Sequence, residues 1–170
     1  MKRPDTVGMG SASARSLWVV VALFEAVTPG MSFSRREWPP HVTLASPFVV
    51  EAPAEDLARA VESAGGDEWP LRVRFGGRAM FGARHDVPVQ LVESADVVAL
   101  HERLAVVLET MPGFVARDPR HWRQGYRPHM THVPTVAVHT GDSRELRSMA
   151  LAELAGPTAT VIAAFDGSRM

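Results

Sequence analysis

The tetrad Pro-His-x-Thr occurs twice in this chain, as Pro40-His41-Val42-Thr43 and as Pro128-His129-Met130-Thr131, each time at the head of a β-branched, apolar run. A proline pushes the residue before it toward extended backbone, so each tetrad leads into a strand and not a helix. On a strand, residues i and i+2 share a face. His41 therefore projects beside Thr43, and His129 beside Thr131. A fold that brings both strands to one cleft gathers two imidazoles and two hydroxyls in a small volume, and that requirement narrows the possible architectures sharply.

The rest of the chain supplies a frame for two such strands. Ser16–Phe24 is continuous and apolar, which suits a buried strand. Basic residues precede it as in a signal peptide, but it is too short to span a bilayer, Glu25 follows at once, and no small-residue cleavage site comes next. His41–Val50 is a second strand. Pro53–Ala64 has helical spacing, with Glu55 and Asp56 in the first turn and Gly65-Gly66 after it. Leu71–Phe75 alternates with period two, Ala79–Phe81 continues it past Gly76-Gly77, and Val87–Val92 follows a turn-like Arg84-His85-Asp86.

Ala95 to Thr110 reads as a helix whose apolar face is Val98, Leu100, Leu104, Val107, Leu108 and Met111, with His101 on its surface. Pro112–Arg127 has no period. His129–Val138 returns to strand, Ser143–Leu154 has helical spacing, and Thr158–Phe165 closes the chain as a strand. The order is an α+β pattern with mostly antiparallel pairing. Each tetrad strand is followed by a helix and then a strand, as in two copies of one unit. Residues 1–14, rich in Gly, Ser and Ala, are expected to be a loose tail before a single domain over 15–170.

Composition removes several classes. With no cysteine there is no disulfide, thiol nucleophile or Cys-ligated metal. A net charge of −1 on 170 residues does not suit a non-specific binder of long duplexes. What the paired tetrads suit is phosphodiester chemistry. One imidazole takes a proton from the attacking hydroxyl or water while the other gives one to the leaving oxygen. The threonine hydroxyls donate to the non-bridging oxygens as charge builds. A rival reading takes His129 and His132, with His121 or His139, as metal ligands. Side chains at i and i+3 on a strand point to opposite sides, which argues against it.

Tandem His-x-Thr motifs on paired strands resemble those of the two-histidine (2H) phosphoesterases, which include the 2′-5′ RNA ligase-like proteins and cyclic phosphodiesterases. The resemblance covers most of residues 16–166 in element order, and the tetrads are its specific part. It implies a bilobal α+β fold of two pseudo-symmetric halves of antiparallel strands, with helices packed outside and a central cleft. It also implies that His41, Thr43, His129 and Thr131 are the catalytic set. One departure is His132, which stands where an aliphatic residue is usual, as Leu44 is in the first motif.

The implied activity is a hydrolase of cyclic phosphates or short RNA-type phosphodiesters, namely 2′,3′-cyclic ends, 2′-5′ linkages or cyclic nucleotide signals, with ligation open as the reverse reaction. No cofactor and no metal are expected. The expected partner is a small nucleotide or short RNA, handled by a cytoplasmic monomer without a membrane. Before the second tetrad, Arg117–Arg127 carries arginines and aromatics suited to phosphates and bases, and Arg123, Tyr126 and Arg127 are candidate substrate contacts. The plainer reading is a solvated loop with Trp122 in the core. Arg36 and Trp38 form a weaker counterpart before the first tetrad. A different class, a module that binds a nucleotide or RNA end without turnover, would use the same cleft.

Overall fold

A computed structural model describes residues 16–65, 67–133 and 136–168. The expected tail over 1–14 lies outside them. The described elements run β1 (Leu17–Leu23), β2 (Ser32–Ser34), β3 (His41–Val49), α1 (Ala54–Gly65), β4 (Leu71–Phe81), β5 (Val87–Glu93), α2 (Ala95–Glu109), β6 (Val115–Ala116), β7 (His129–Thr131), β8 (Ser143–Leu146), β9 (Ser148–Ala155) and β10 (Thr158–Phe165). All ten described strands belong to one sheet in the order β2-β10-β9-β1-β3-β7-β5-β4-β8, with β6 paired to β3. Every pairing among them is antiparallel. The fold is α+β, and no helix among the described residues is long and apolar enough to cross a membrane.

The sheet is two wings joined at β3 and β7, and the helices cover one of its faces. The alternation of β1 shows how the core is divided. Trp18, Val20 and Ala22 enter the cluster shared with α1 and α2, while Val19, Val21 and Leu23 enter a second cluster on the opposite face. A strand buried on both sides reads as a continuous apolar run, which is why Ser16–Phe24 was legible as one.

The same physics overturns the helix expected over Ser143–Leu154, which the structure replaces with β8 and β9. Met149 and Leu151 go to the helix-side cluster, and Ala150, Ala152 and Leu154 go to the other. β9 lies between β1 and β10, paired along its length to both. Ladder bonds on two sides and burial on two faces outweigh the helical propensity of Ala, Leu, Met and Glu. The second tetrad is therefore not followed by a helix and a strand, and the strand–helix–strand unit follows only the first.

Other differences are local. Strand character was expected from His129 to Val138, but the ladder of β7 stops at Thr131, and among the described residues beyond it Val133 and Val136 form an isolated bridge. β2 and β6, with three and two residues, were too short to signal themselves. Gly76-Gly77 does not break the strand: Phe75 pairs with Val92 and Arg78 with Gln90, a β-bulge within a continuous β4. On α2 the buried set is Val97, Leu100, His101, Leu104, Ala105 and Leu108. Val98, expected inward, is 42% exposed, and His101, expected on the surface, is fully buried.

Met130 joins the wings through its pairing with Val42, and it is buried in the helix-side cluster. Met130→Ala should therefore lower stability by about 2–5 kcal/mol, the cost typical of emptying such a site. Equilibrium urea unfolding measures this, and a loss below about 0.5 kcal/mol would contradict the assigned burial.

Candidate active site

Val42 and Met130 face the helices, so alternation turns their neighbours to the opposite side of the sheet. Carrying the antiparallel register one residue each way sets His41 across from Thr131 and Thr43 across from His129. The flanking strands agree. Leu23 pairs with His41 and Val21 with Thr43 on one side, and Leu91 with His129 and Val89 with Thr131 on the other. The four residues singled out in the sequence thus form one square on the face away from the helices.

The two imidazoles are held alike. His41 Nδ1 lies 2.9 Å from the carbonyl of Pro39, and His129 Nδ1 lies 2.7 Å from the carbonyl of Arg127. A carbonyl only accepts, so Nδ1 carries the proton in both rings. Between each histidine and its carbonyl stands one proline, whose fixed φ holds the two in register. Nε2 has no protein partner in either ring among the described residues.

Burial lowers the pKa of His41, the Pro39 carbonyl offsets part of that, and the facing His129 lowers it again. Burial also lowers His129, with the Arg127 carbonyl opposing and the charges of His121 and Arg127 reinforcing the shift. Trp38 packs on His41 with ring centroids 4.9 Å apart, and Phe81 meets His129 edge-on at 4.4 Å.

Two hollows flank the square. One of about 280 Å³ is lined by Arg35, Arg36, Trp38, His41, Thr43 and Thr131 among others. Another of about 700 Å³ opens on the His129 side, where Phe81, His121 and Arg127 contribute to its wall. The Arg127 guanidinium lies 5.1 Å above the Phe81 ring. Arg36 and Trp38 thus stand with His41, and Arg127 stands near His129.

Arg123 and Tyr126, expected at the substrate, have other partners. Arg123 is ion-paired to Glu102 at 2.8 Å and to Glu109. Tyr126 donates its hydroxyl to the Thr43 carbonyl at 2.8 Å, and its ring stacks on His101 at 3.9 Å. Trp122 is buried, with its indole N–H donated to Glu109. The loop is therefore bolted to α2 and β3 at these points. His101 is the residue that sequence reading missed. The signal was available, because Val97, His101, Ala105 and Leu108 fall on one helical face. The residues of the metal rival do not assemble, since no three His, Asp or Glu among the described residues are grouped to hold an ion. His132 instead buries Nε2 without a hydrogen-bond partner.

Residues 18–163 match the family model of the 2′-5′ RNA ligase superfamily. No curated protein matches the chain. Among solved structures it is similar to TT0787 of Thermus thermophilus, with TM-score 0.52 and 20% identity over 91% of this chain and 100% of that one. A phosphoesterase gives TM-score 0.54 and 11% identity over 92% and 100%. E. coli LigT complexed with 3′-AMP gives 0.51 and 13% over 91% and 99%. At such identities these structures speak for the fold, while the family match spans most of the sequence. The chain belongs to the 2′-5′ RNA ligase superfamily, among the two-histidine phosphoesterases.

Proposed function

We propose that the protein is a metal-independent phosphoesterase acting on a cyclic phosphate or a short RNA-type phosphodiester. The observation that carries this is the matched pair of imidazoles, each fixed through Nδ1–H to the carbonyl two residues back, each with Nε2 unclaimed and with the other motif's threonine opposite. Membership in the superfamily supports phosphoesterase or RNA-ligase chemistry in general, and LigT, crystallised with 3′-AMP, supports a small nucleotide as the kind of ligand.

In the proposed reaction His41 is neutral and accepts a proton at Nε2 from the attacking water. The water oxygen bonds to phosphorus as the bond to the leaving oxygen breaks. His129, protonated, gives its Nε2 proton to that oxygen, so one water is consumed and both rings exchange charge state. Burial favours the neutral form of both rings, and His41 is the more deeply buried of the two, which supports its assignment as the base. Run backwards, the reaction exchanges the two roles. Thr43 and Thr131 donate to the non-bridging oxygens, while Arg36, Trp38 and Arg127 hold the remainder of the substrate.

The decisive assay measures turnover of 2′,3′-cyclic nucleotides, 2′-5′-linked dinucleotides and cyclic nucleotides with a chelator present. Turnover lost with chelator and restored by zinc would replace this mechanism with a metal-dependent one. Nucleotide binding without turnover of any substrate would make the protein a binding module.

On the best substrate, His41→Ala and His129→Ala should each lose about 10²–10⁴-fold in turnover while remaining folded. The double variant should be scarcely worse than the poorer single, because acid and base act in one step. Thr43→Ala and Thr131→Ala should lose about 10–10³-fold. Near-native rates in both histidine variants would end the two-histidine reading.

The pH dependence follows from the lowered pKa values. The base must be neutral, so the rate falls below its pKa, and the acid must be protonated, so the rate falls above its own. Both histidines sit below the ordinary 6.5 in the free protein, which places the kcat/KM maximum on the acid side of 6.5. A bound phosphate favours both imidazolium forms, so the kcat profile should lie at higher pH than that of kcat/KM. A kcat/KM maximum above about 8 would contradict the environments of the two rings.

Arg36→Ala and Arg127→Ala should raise KM more than they lower kcat, as expected of groups that hold without reacting. Steady-state kinetics checks this, and an unchanged KM in both would remove them from the substrate site.

A further inference from the structure

β3 carries an irregularity beside the first motif. Val20 pairs with Ala45 and Val21 with Thr43, so Leu44 is an extra residue opposite no partner on β1. Such a bulge bends a strand and interrupts its ladder, and the distortion persists only where something holds it. On the other edge of β3, β7 pairs at Val42 and β6 at Phe48 and Val49, which leaves the carbonyls of Thr43 and Leu44 between the two contacts.

Two side chains meet those carbonyls. The Leu44 carbonyl lies 2.7 Å from His101 Nδ1, and the Thr43 carbonyl accepts from the Tyr126 hydroxyl at 2.8 Å. The rings of His101 and Tyr126 stack at 3.9 Å with planes 7° apart, so each fixes the other.

The histidine end is fully committed. His101 must donate from Nδ1 to a carbonyl, and its Nε2 accepts the backbone N–H of Arg123 at 3.0 Å. Only the neutral ring with its proton on Nδ1 makes both bonds. Arg123 is itself locked, in left-handed backbone at φ 57 with its guanidinium on Glu102 and Glu109. Gly125 leaves no room for a side chain, since a Cβ there would lie 1.9 Å from the Arg120 carbonyl. The segment that leads into His129 is thus a rigid arm, and near its end Tyr126 anchors it on the backbone of the first motif.

We infer that Tyr126 and His101 are positioning residues that clamp the β3 bulge and so set the Thr43 hydroxyl against the square of catalytic groups. Neither touches the substrate in this arrangement; both act through the backbone of Thr43 and Leu44. The inference rests on the phosphoesterase reading, because Thr43 matters kinetically only if it serves a transition state. A displacement of even an ångström at such a group is worth up to about 10²-fold in rate.

The test exploits a convenience of composition: Tyr126 is the only tyrosine in the chain. Its hydroxyl is buried and its pKa pushed well above the ordinary value of 10. Ultraviolet titration of the native protein should therefore show no tyrosinate until alkaline unfolding. Ionisation near the ordinary value of 10 in the folded state would overturn the clamp whatever the activity.

Tyr126→Phe keeps the stacked ring and removes only the donor. It should lower kcat by about 10- to 100-fold, with KM within about twofold and the melting temperature nearly unchanged. A purely structural role would move the melting temperature and leave kcat per folded molecule alone. Because Tyr126 acts through Thr43, adding Tyr126→Phe to Thr43→Ala should cost little more than Thr43→Ala alone, whereas multiplying losses would overturn the inference. Wild-type turnover with a native-like Tyr126→Phe would sink this proposal and spare the functional reading. Absence of wild-type turnover on every substrate would sink the functional reading and this proposal with it.

Discussion

The pairing of Val42 with Met130 is the contact on which the site depends. Each residue is the centre of a His-x-Thr motif, and each is buried against the helices. Because a strand alternates faces, burying the centre is what sends the histidine and threonine on either side of it to the opposite surface. Because the pairing is antiparallel, each histidine meets the threonine of the other motif. A slip of one residue in either strand would bury an imidazole and expose Met130 or Val42. The apolar cost of that slip holds the four polar groups in place.

The strand heads and the shared face of each His-Thr pair were legible in the sequence because they rest on local rules, whereas the meeting of the two motifs at Val42 and Met130 was implied only by the family resemblance. Proline before histidine gives extended backbone, and i and i+2 share a face. The same locality explains why Thr158–Phe165 matches β10 and why Pro53–Ala64 lies within a residue of α1. Most of what the sequence did not show needed partners that no local window contains. Ser143–Leu154 has the spacing and composition of a helix, but its neighbours β1 and β10 claim it as a strand between two cores. Arg123 and Tyr126 looked like free recognition groups because Glu102, Glu109 and the Thr43 carbonyl lie far from them in sequence. His101 was the avoidable error. Its helical phase, shared with Val97, Ala105 and Leu108, places it inward.

The prolines of the two tetrads also acquire a reason beyond opening strands. With the carbonyl two residues back tied to Nδ1, each ring has its tautomer and tilt chosen before any ligand arrives. Hydrogen bonds of this kind favour the charged ring, while burial disfavours it more strongly, so both imidazoles are held below their ordinary pKa. The repeated Pro-His-x-Thr is therefore a compact instruction: where the strand begins, which face is used, and which nitrogen is left open.

A ten-stranded open sheet must end somewhere, and its two ends carry a consequence for how copies of this chain meet one another. An unpaired strand edge is a template for a further strand from another molecule. Here one edge is β2, whose three residues place exposed serines at both ends, and the other is β8, which spells Ser-Arg-Glu-Leu with its first three residues exposed. Both are short, and β8 bears two charges on its rim. The long apolar strands β1 and β9, which would be the dangerous ones, are shut in the middle of a wing. The order of strands thus bears on association as well as on the site: among the described strands, the long apolar β1 and β9 are ones that no neighbouring molecule can extend.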